Sequence, residues 1–198
     1  MIDLNHALMS TATLLLGLSA SSVASAQESP PRYVPRIAIA MDAGAAVPTG
    51  DLRDAFGSAF VLGAQGTYNV LSHLDVLADF DWSRPDTKLA VSDDHANVYQ
   101  GDVGIEIGGA RGSARRWAMR PFADVGAGFR RYDYASDELS DRTRPVGFAA
   151  IGTELAFGRS AIRLTARDNV LSFEAPTPDA MRSTRNDLGF TIGIGFQP

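Results

Sequence analysis

Cysteine is absent from the 198 residues, and no apolar run outside the first segment approaches membrane-helix length. The first absence excludes a disulfide scaffold and a thiolate metal centre. The second excludes a helical membrane protein, whose spans need about 18 or more apolar residues. Positive charge is scarce as well: 18 Lys and Arg against 23 Asp and Glu leave a net charge of −5, with no basic stripe for nucleic acid. Only three His occur, and there is no phosphate loop, dinucleotide fingerprint or zinc pattern. Glycine, at 19 residues, is plentiful, and the length fits one domain.

The chain opens with a segment of a different kind. Ala12 to Leu18 (ATLLLGL) is a short apolar run, followed by small residues that end in Ala24-Ser25-Ala26. This is the pattern of a cleaved export signal over residues 1–26. Residues 27–35 (QESPPRYVP) read as a short extended leader, and 36–198 as the folded domain.

From residue 36 onward one unit repeats: ten to thirteen residues of period-two alternation, then a turn or loop. Strands are expected over 36–46, 58–69, 74–84, 98–109, 121–133, 146–157, 161–171 and 187–197. In the third, Leu74, Val76, Ala78, Phe80 and Trp82 share one face, and Asp75, Asp79 and Asp81 lie on the other. In the last, Leu188, Phe190, Ile192, Ile194 and Phe196 alternate with Gly189, Thr191, Gly193, Gly195 and Gln197.

Alternation alone does not say which face is inside. Three features favour apolar side chains pointing outward into lipid. The strands are long enough to cross a hydrocarbon core when tilted. The polar faces combine Gly with charges of both signs, as a narrow polar lumen requires. Connections alternate between short ones (70–73, 158–160, and an intermediate one at 110–118) and longer polar ones (47–57, 85–97, 134–145, 172–186), as in outer-membrane barrels. A sheet in lipid must close, because lipid cannot satisfy an edge. The expected fold is therefore all-β: an eight-stranded antiparallel transmembrane up-and-down barrel. A lumen charge network is expected from Asp79, Asp102, Glu106, Asp124, Arg130, Glu154, Arg163 and Arg167, with Arg163 central to the half nearer the termini. Trp82, Tyr99, Trp117, Tyr132, Phe157 and Phe196 are expected in the aromatic girdles at the membrane boundaries, together with Tyr134, Tyr68 and Phe122.

With this layout, its first hairpin (GAAVPTGDLRDAFGSAFVLGAQGTYN) and its last strand (GFTIGIGFQ), the sequence resembles the small OmpA/OmpX-type outer-membrane barrels over nearly all of 36–198. The resemblance implies a bacterial outer-membrane location reached through the periplasm. It also implies contact with outer-membrane lipids and lipopolysaccharide, and insertion by the barrel assembly machinery through the C-terminal strand.

No catalytic site, cofactor or metal is expected. His95 sits in Ser92-Asp93-Asp94-His95, but neighbours in one loop rarely converge as a triad must. Asp75, Asp79, Asp81 and Glu106 lack the spacing and Gly of a calcium loop, so salt bridging is the expected role. The acidic loop residues Asp93, Asp94, Asp137, Glu138 and Asp141 are expected to be solvated. The basic segment 111–120 (RGSARRWAMR) is expected to be a periplasmic turn. The expected function is structural or surface interaction by a monomer, in envelope integrity or adhesion. A small, weakly cation-selective pore comes second and a lipid A-modifying enzyme third.

Overall fold

The computed structural model describes residues 37–50, 53, 56–86, 88, 95–109, 114–134, 142–173 and 183–198. The expected export signal and leader lie outside the described residues. Eight strands follow in order: β1 (Ile37–Pro48), β2 (Ala59–Leu71), β3 (Leu74–Ser83), β4 (Ala96–Gly108), β5 (Ala114–Tyr134), β6 (Arg142–Gly158), β7 (Ser160–Phe173) and β8 (Ser183–Phe196). Each pairs antiparallel with its sequence neighbours, and β1 pairs with β8 to close the barrel. The up-and-down barrel read from the sequence is the fold.

Paired residues can be followed round the wall from Ile37 through Tyr68, Val76, Ile105, Val125, Ala149, Asp168 and Leu188. The path returns to β1 at Val47, ten residues beyond its start. That stagger tilts the strands by roughly 35–45° and leaves an interior only as wide as its side chains. The β6–β7 turn is reduced to Arg159, which Gly158 permits by adopting a φ of 64°.

Over most of the wall the barrel is inside out. Met41, Val103, Ile192 and Ile194 face outward at 72, 65, 57 and 71 % exposure, while Asp75 and Glu106 are fully enclosed. At the long-loop end the polarity reverses on the same strands. Ala96, Val98, Tyr132, Tyr134, Val146 and Leu171 point inward and pack with Phe56. Asn97, Arg131, Asp133 and Thr143 alternate with them on the outer side.

Several strands outrun their expected ends. β5 begins at Ala114 rather than 121, β6 at Arg142 rather than 146, and β8 at Ser183 rather than 187. Hydrogen-bonded pairing continues there after the apolar alternation has stopped, so a hydrophobicity pattern cannot see it. The basic segment is thereby corrected: its last seven residues are strand, not turn, and Arg120 points inward at 5 % exposure.

Candidate functional site in the barrel interior

The interior is built in tiers. Nearest the termini, Arg163 of β7 reaches Glu106 at 2.6 Å, Asp124 at 3.0 Å and Glu154 at 3.8 Å. Its guanidinium lies 3.5 Å above the Phe122 ring. Arg120 of β5 binds Asp75 at 2.9 Å and also pairs with Glu106. Asn69 donates to Asp75 at 2.7 Å, and Gln197 donates to Glu154 at 3.3 Å. Two guanidiniums thus serve four carboxylates that water barely reaches.

The second tier centres on Arg167. It reaches Asp79 at 2.5 Å and Asp81 at 3.5 Å, pairs with Asp102, and stacks 3.8 Å over Phe148. Gly104 leaves room for that ring: a Cβ there would stand 3.0 Å from Phe148. Arg167 Nε donates to Asn169 at 2.9 Å, and Asn169 donates to Asp187 at 2.8 Å. Gln100 donates to Asn169 at 3.0 Å and to Asp102 at 2.7 Å. Arg130 donates to Gln100 at 2.5 Å and pairs with Asp187. A continuous polar chain therefore crosses the lumen from β3 to β8. Above it sits the apolar cap, where Phe56 stacks on Tyr132 with ring centroids 5.6 Å apart. Gly57 N–H donates to the Asp86 carbonyl at 2.9 Å, tying the first long loop to the second.

The lumen is filled unevenly. The arginines and rings crowd against β4–β7, while β1, β2 and β8 present small residues such as Ala40, Gly63 and Gly193. A cavity of about 90 Å³ lies between the two sides, lined by Asp42, Asp79, Asp81, Gln65 and Thr191 and, across from them, by Asp124, Arg163 and Arg167. Its upper wall includes Phe56 and Tyr132.

All eight charged residues expected inside are found there, in these two tiers. Sequence reasoning missed Arg120, Asp187 and Asp42. Asp187 and Asp42 share inward parity with recognised lumen positions, whereas Arg120 was hidden by the misplaced start of β5. Of the expected girdle, Trp82, Tyr99, Trp117, Phe157 and Phe196 lie on the outward face. Trp117 packs on Phe157 at 4.9 Å, and Tyr99 on Phe80 at 6.5 Å. Tyr132 does not lie there. It is 3 % exposed inside the mouth, and Tyr134 and Phe122 are likewise interior. Their even parity on β5, shared with Asp124 and Arg130, was the signal that outranks proximity to a strand end. His95 contacts Arg84, while Ser92, Asp93 and Asp94 lie outside the described residues, as do Asp137, Glu138 and Asp141. His73 closes the β2–β3 turn, 3.2 Å from the Gly108 carbonyl.

No protein-family model matches the sequence, and no curated protein matches it. Among solved structures, the chain is similar to Neisserial surface protein A (NspA), with 14 % identity and a TM-score of 0.62 over 84 % of this chain and 99 % of that one. It is also similar to Ail, the attachment invasion locus protein of Yersinia pestis, with 12 % identity and a TM-score of 0.51 over 83 % of this chain and 99 % of that one. A second Ail structure, in complex with the heparin analogue sucrose octasulfate, matches at 13 % identity and a TM-score of 0.51, over 83 % of this chain and 99 % of that one. The fold is that of the small eight-stranded outer-membrane barrels.

Proposed function

We propose that the protein is a closed barrel of a bacterial outer membrane that displays its long-loop end on the cell surface, in a structural or surface-interaction role. The observation that carries this reading is the reversal of polarity along the wall. Side chains such as Met41, Ile192 and Ile194 are stable on an outer face only if lipid covers it. Where β4 and β5 continue beyond Tyr99 and Phe129, the outer face carries Asn97, Arg131 and Asp133 and the inner face Ala96, Val98, Tyr132 and Tyr134, as in a protein surrounded by water. The membrane boundary thus falls at the level of Trp82, Tyr99 and Phe129.

Two cross-lumen ion-pair tiers and an apolar cap oppose free conduction, and eight strands leave no open channel. The similarity to a barrel named for attachment and invasion supports an adhesive role for the loops. On this reading residues 1–26 direct export, β8 is recognised by the assembly machinery, and the apolar outer face meets outer-membrane lipid and lipopolysaccharide.

The topology is tested by epitope tags on intact cells. A tag near Thr177 is expected to be accessible and one at Arg159 hidden; surface labelling at Arg159 overturns the orientation. The role is tested by deleting the gene and restoring it with scrambled long loops. Adhesion is expected to stay lost while detergent resistance returns. The second reading, a small cation-selective pore, draws on the acid-lined cavity, and planar-bilayer conductance of the purified chain distinguishes it.

A further inference from the structure

We propose that the protein self-associates in the membrane through the outer face of β6–β8, two copies meeting about a two-fold axis at Asp168 and Asn186. The inference rests on the lipid-covered outer face proposed above. On that face, between the short turns and the level of Tyr99, Phe129 and Val170, Asp168 of β7 is the one charged side chain among the described residues. It alternates with Arg163, Arg167 and Asn169, which point inward, and shares the outward parity of Leu164 and Val170, exposed at 43 and 41 %. Val170, the next outward residue toward the long loops, keeps Asp168 inside the apolar zone. In the register its neighbours are Ala149 and Leu188, which carry no polar side chain. A carboxyl group in such a place is costly unless polar groups cover it, because lipid tails offer no donor. Asn186 of β8 supplies part of that cover by donating to Asp168 Oδ2 at 3.2 Å. Asp168 Oδ1 has no hydrogen-bond partner.

The wall is also low around this pair. Gly147 and Ala149 of β6 and Ala166 of β7 lie between Ile151 and Leu164 on one side and Phe129 and Val170 on the other, all four of them large and exposed. A Cβ on Gly147 would meet nothing nearer than 3.9 Å, so packing within the chain does not require the gap. Small residues beside hydrogen-bonding side chains let two membrane-embedded surfaces approach closely and hold. The chemistry of the pair decides the occupant. A carboxyl group repels the phosphates of anionic lipid head groups, and acyl chains bring no donor. A second copy of this chain brings what is missing. The Asn186 amide has a second hydrogen to donate, and Asp168 has an oxygen to accept it. Each copy therefore donates to the other, and the contact is self-complementary, as a two-fold interface requires. Both copies cross the membrane in the same orientation, which sets their polar pairs at the same depth.

The chain has no cysteine, so a single introduced one reports the contact. In lipid vesicles Ala166→Cys is expected to form disulfide-linked dimers on mild oxidation, and Val76→Cys, on β3 across the barrel, is not. By sedimentation in detergent micelles the native chain is expected to show a reversible monomer–dimer equilibrium. Asp168→Leu is expected to weaken it about tenfold without lowering the Tm of the dilute monomer. A role confined to one chain calls for the reverse, a lower Tm and unchanged association. Asp168→Asn keeps a donor and an acceptor and is expected to retain the dimer, whereas Gly147→Leu keeps the polar pair, fills the gap and is expected to lose it. Heat-modifiable gel migration shows whether each chain has folded and inserted. A native chain that does not insert overturns the outer-membrane reading; one that inserts and stays monomeric overturns the dimer alone. Equal cross-linking at Ala166→Cys and Val76→Cys, or unchanged association of Asp168→Leu, also overturns the dimer.

Discussion

The tier around Arg163 and the cap around Phe56 occupy the same barrel, on the same inward parity of neighbouring strands, with opposite chemistry. One is a set of ion pairs stacked on a ring; the other is a cluster of Phe, Tyr, Val and Leu. What differs is the medium outside the wall at each level. Where the outer face is apolar and lipid covers it, closure needs no apolar interior, and charges can pair across a narrow lumen. Where the outer face carries Arg131, Asp133 and Thr143, water is the medium, and burial of apolar side chains inside again drives packing. The sign of the inside face follows from the solvent on the outside face.

The largest expected effect breaks the charged tier. Arg163→Ala leaves Glu106, Asp124 and Glu154 short of a cation, and a loss of about 3–5 kcal/mol is expected. Urea unfolding in micelles, followed by heat-modifiable gel migration, measures it. An unchanged midpoint would mean that water already screens this tier. Next comes the lipid face: Ile192→Arg is expected to cost about 2–4 kcal/mol, measured by reversible unfolding in lipid vesicles.

A smaller loss is expected at the cap, where Phe56→Ala removes a side chain packed on Tyr132 beside the mouth. About 2–3 kcal/mol is expected, at or below the range for fully enclosed Phe. The same variant should admit a water-soluble maleimide to a cysteine placed at Leu171, which the native cap shields. No gain in labelling would show that Phe56 does not close the mouth. The smallest effect completes the contrast with Ile192: Thr143→Arg, on the outer face above the boundary, is expected to change stability by no more than about 0.5 kcal/mol. If Thr143→Arg costs as much as Ile192→Arg, the boundary has been set too low.

The strand count, the closed topology and the inward parity of the charges were legible in the sequence, because alternation is a local property with a period of two. Leu188 to Gln197 shows it without interruption, and Asp124, Arg130, Glu154 and Arg163 could all be placed inside by counting alone. Tyr132 was misread because an aromatic near a strand end suggests a girdle, although its own parity places it inside. Arg120 was lost because strand pairing outlasts the apolar pattern that reveals it.

What the sequence by itself determined about this protein is thus the wall: which residues face which way, and how many strands close the sheet. Who pairs with whom across the lumen was decided only by the tertiary structure. The ten-residue stagger brings Asp79 of β3 to Arg167 of β7 and Arg130 of β5 to Asp187 of β8, partners far apart in the chain. The interior cavity and the reversal of polarity above Tyr99 arise in the same way. Each depends on where tilted strands stand relative to one another and to the medium outside, and no local pattern encodes that.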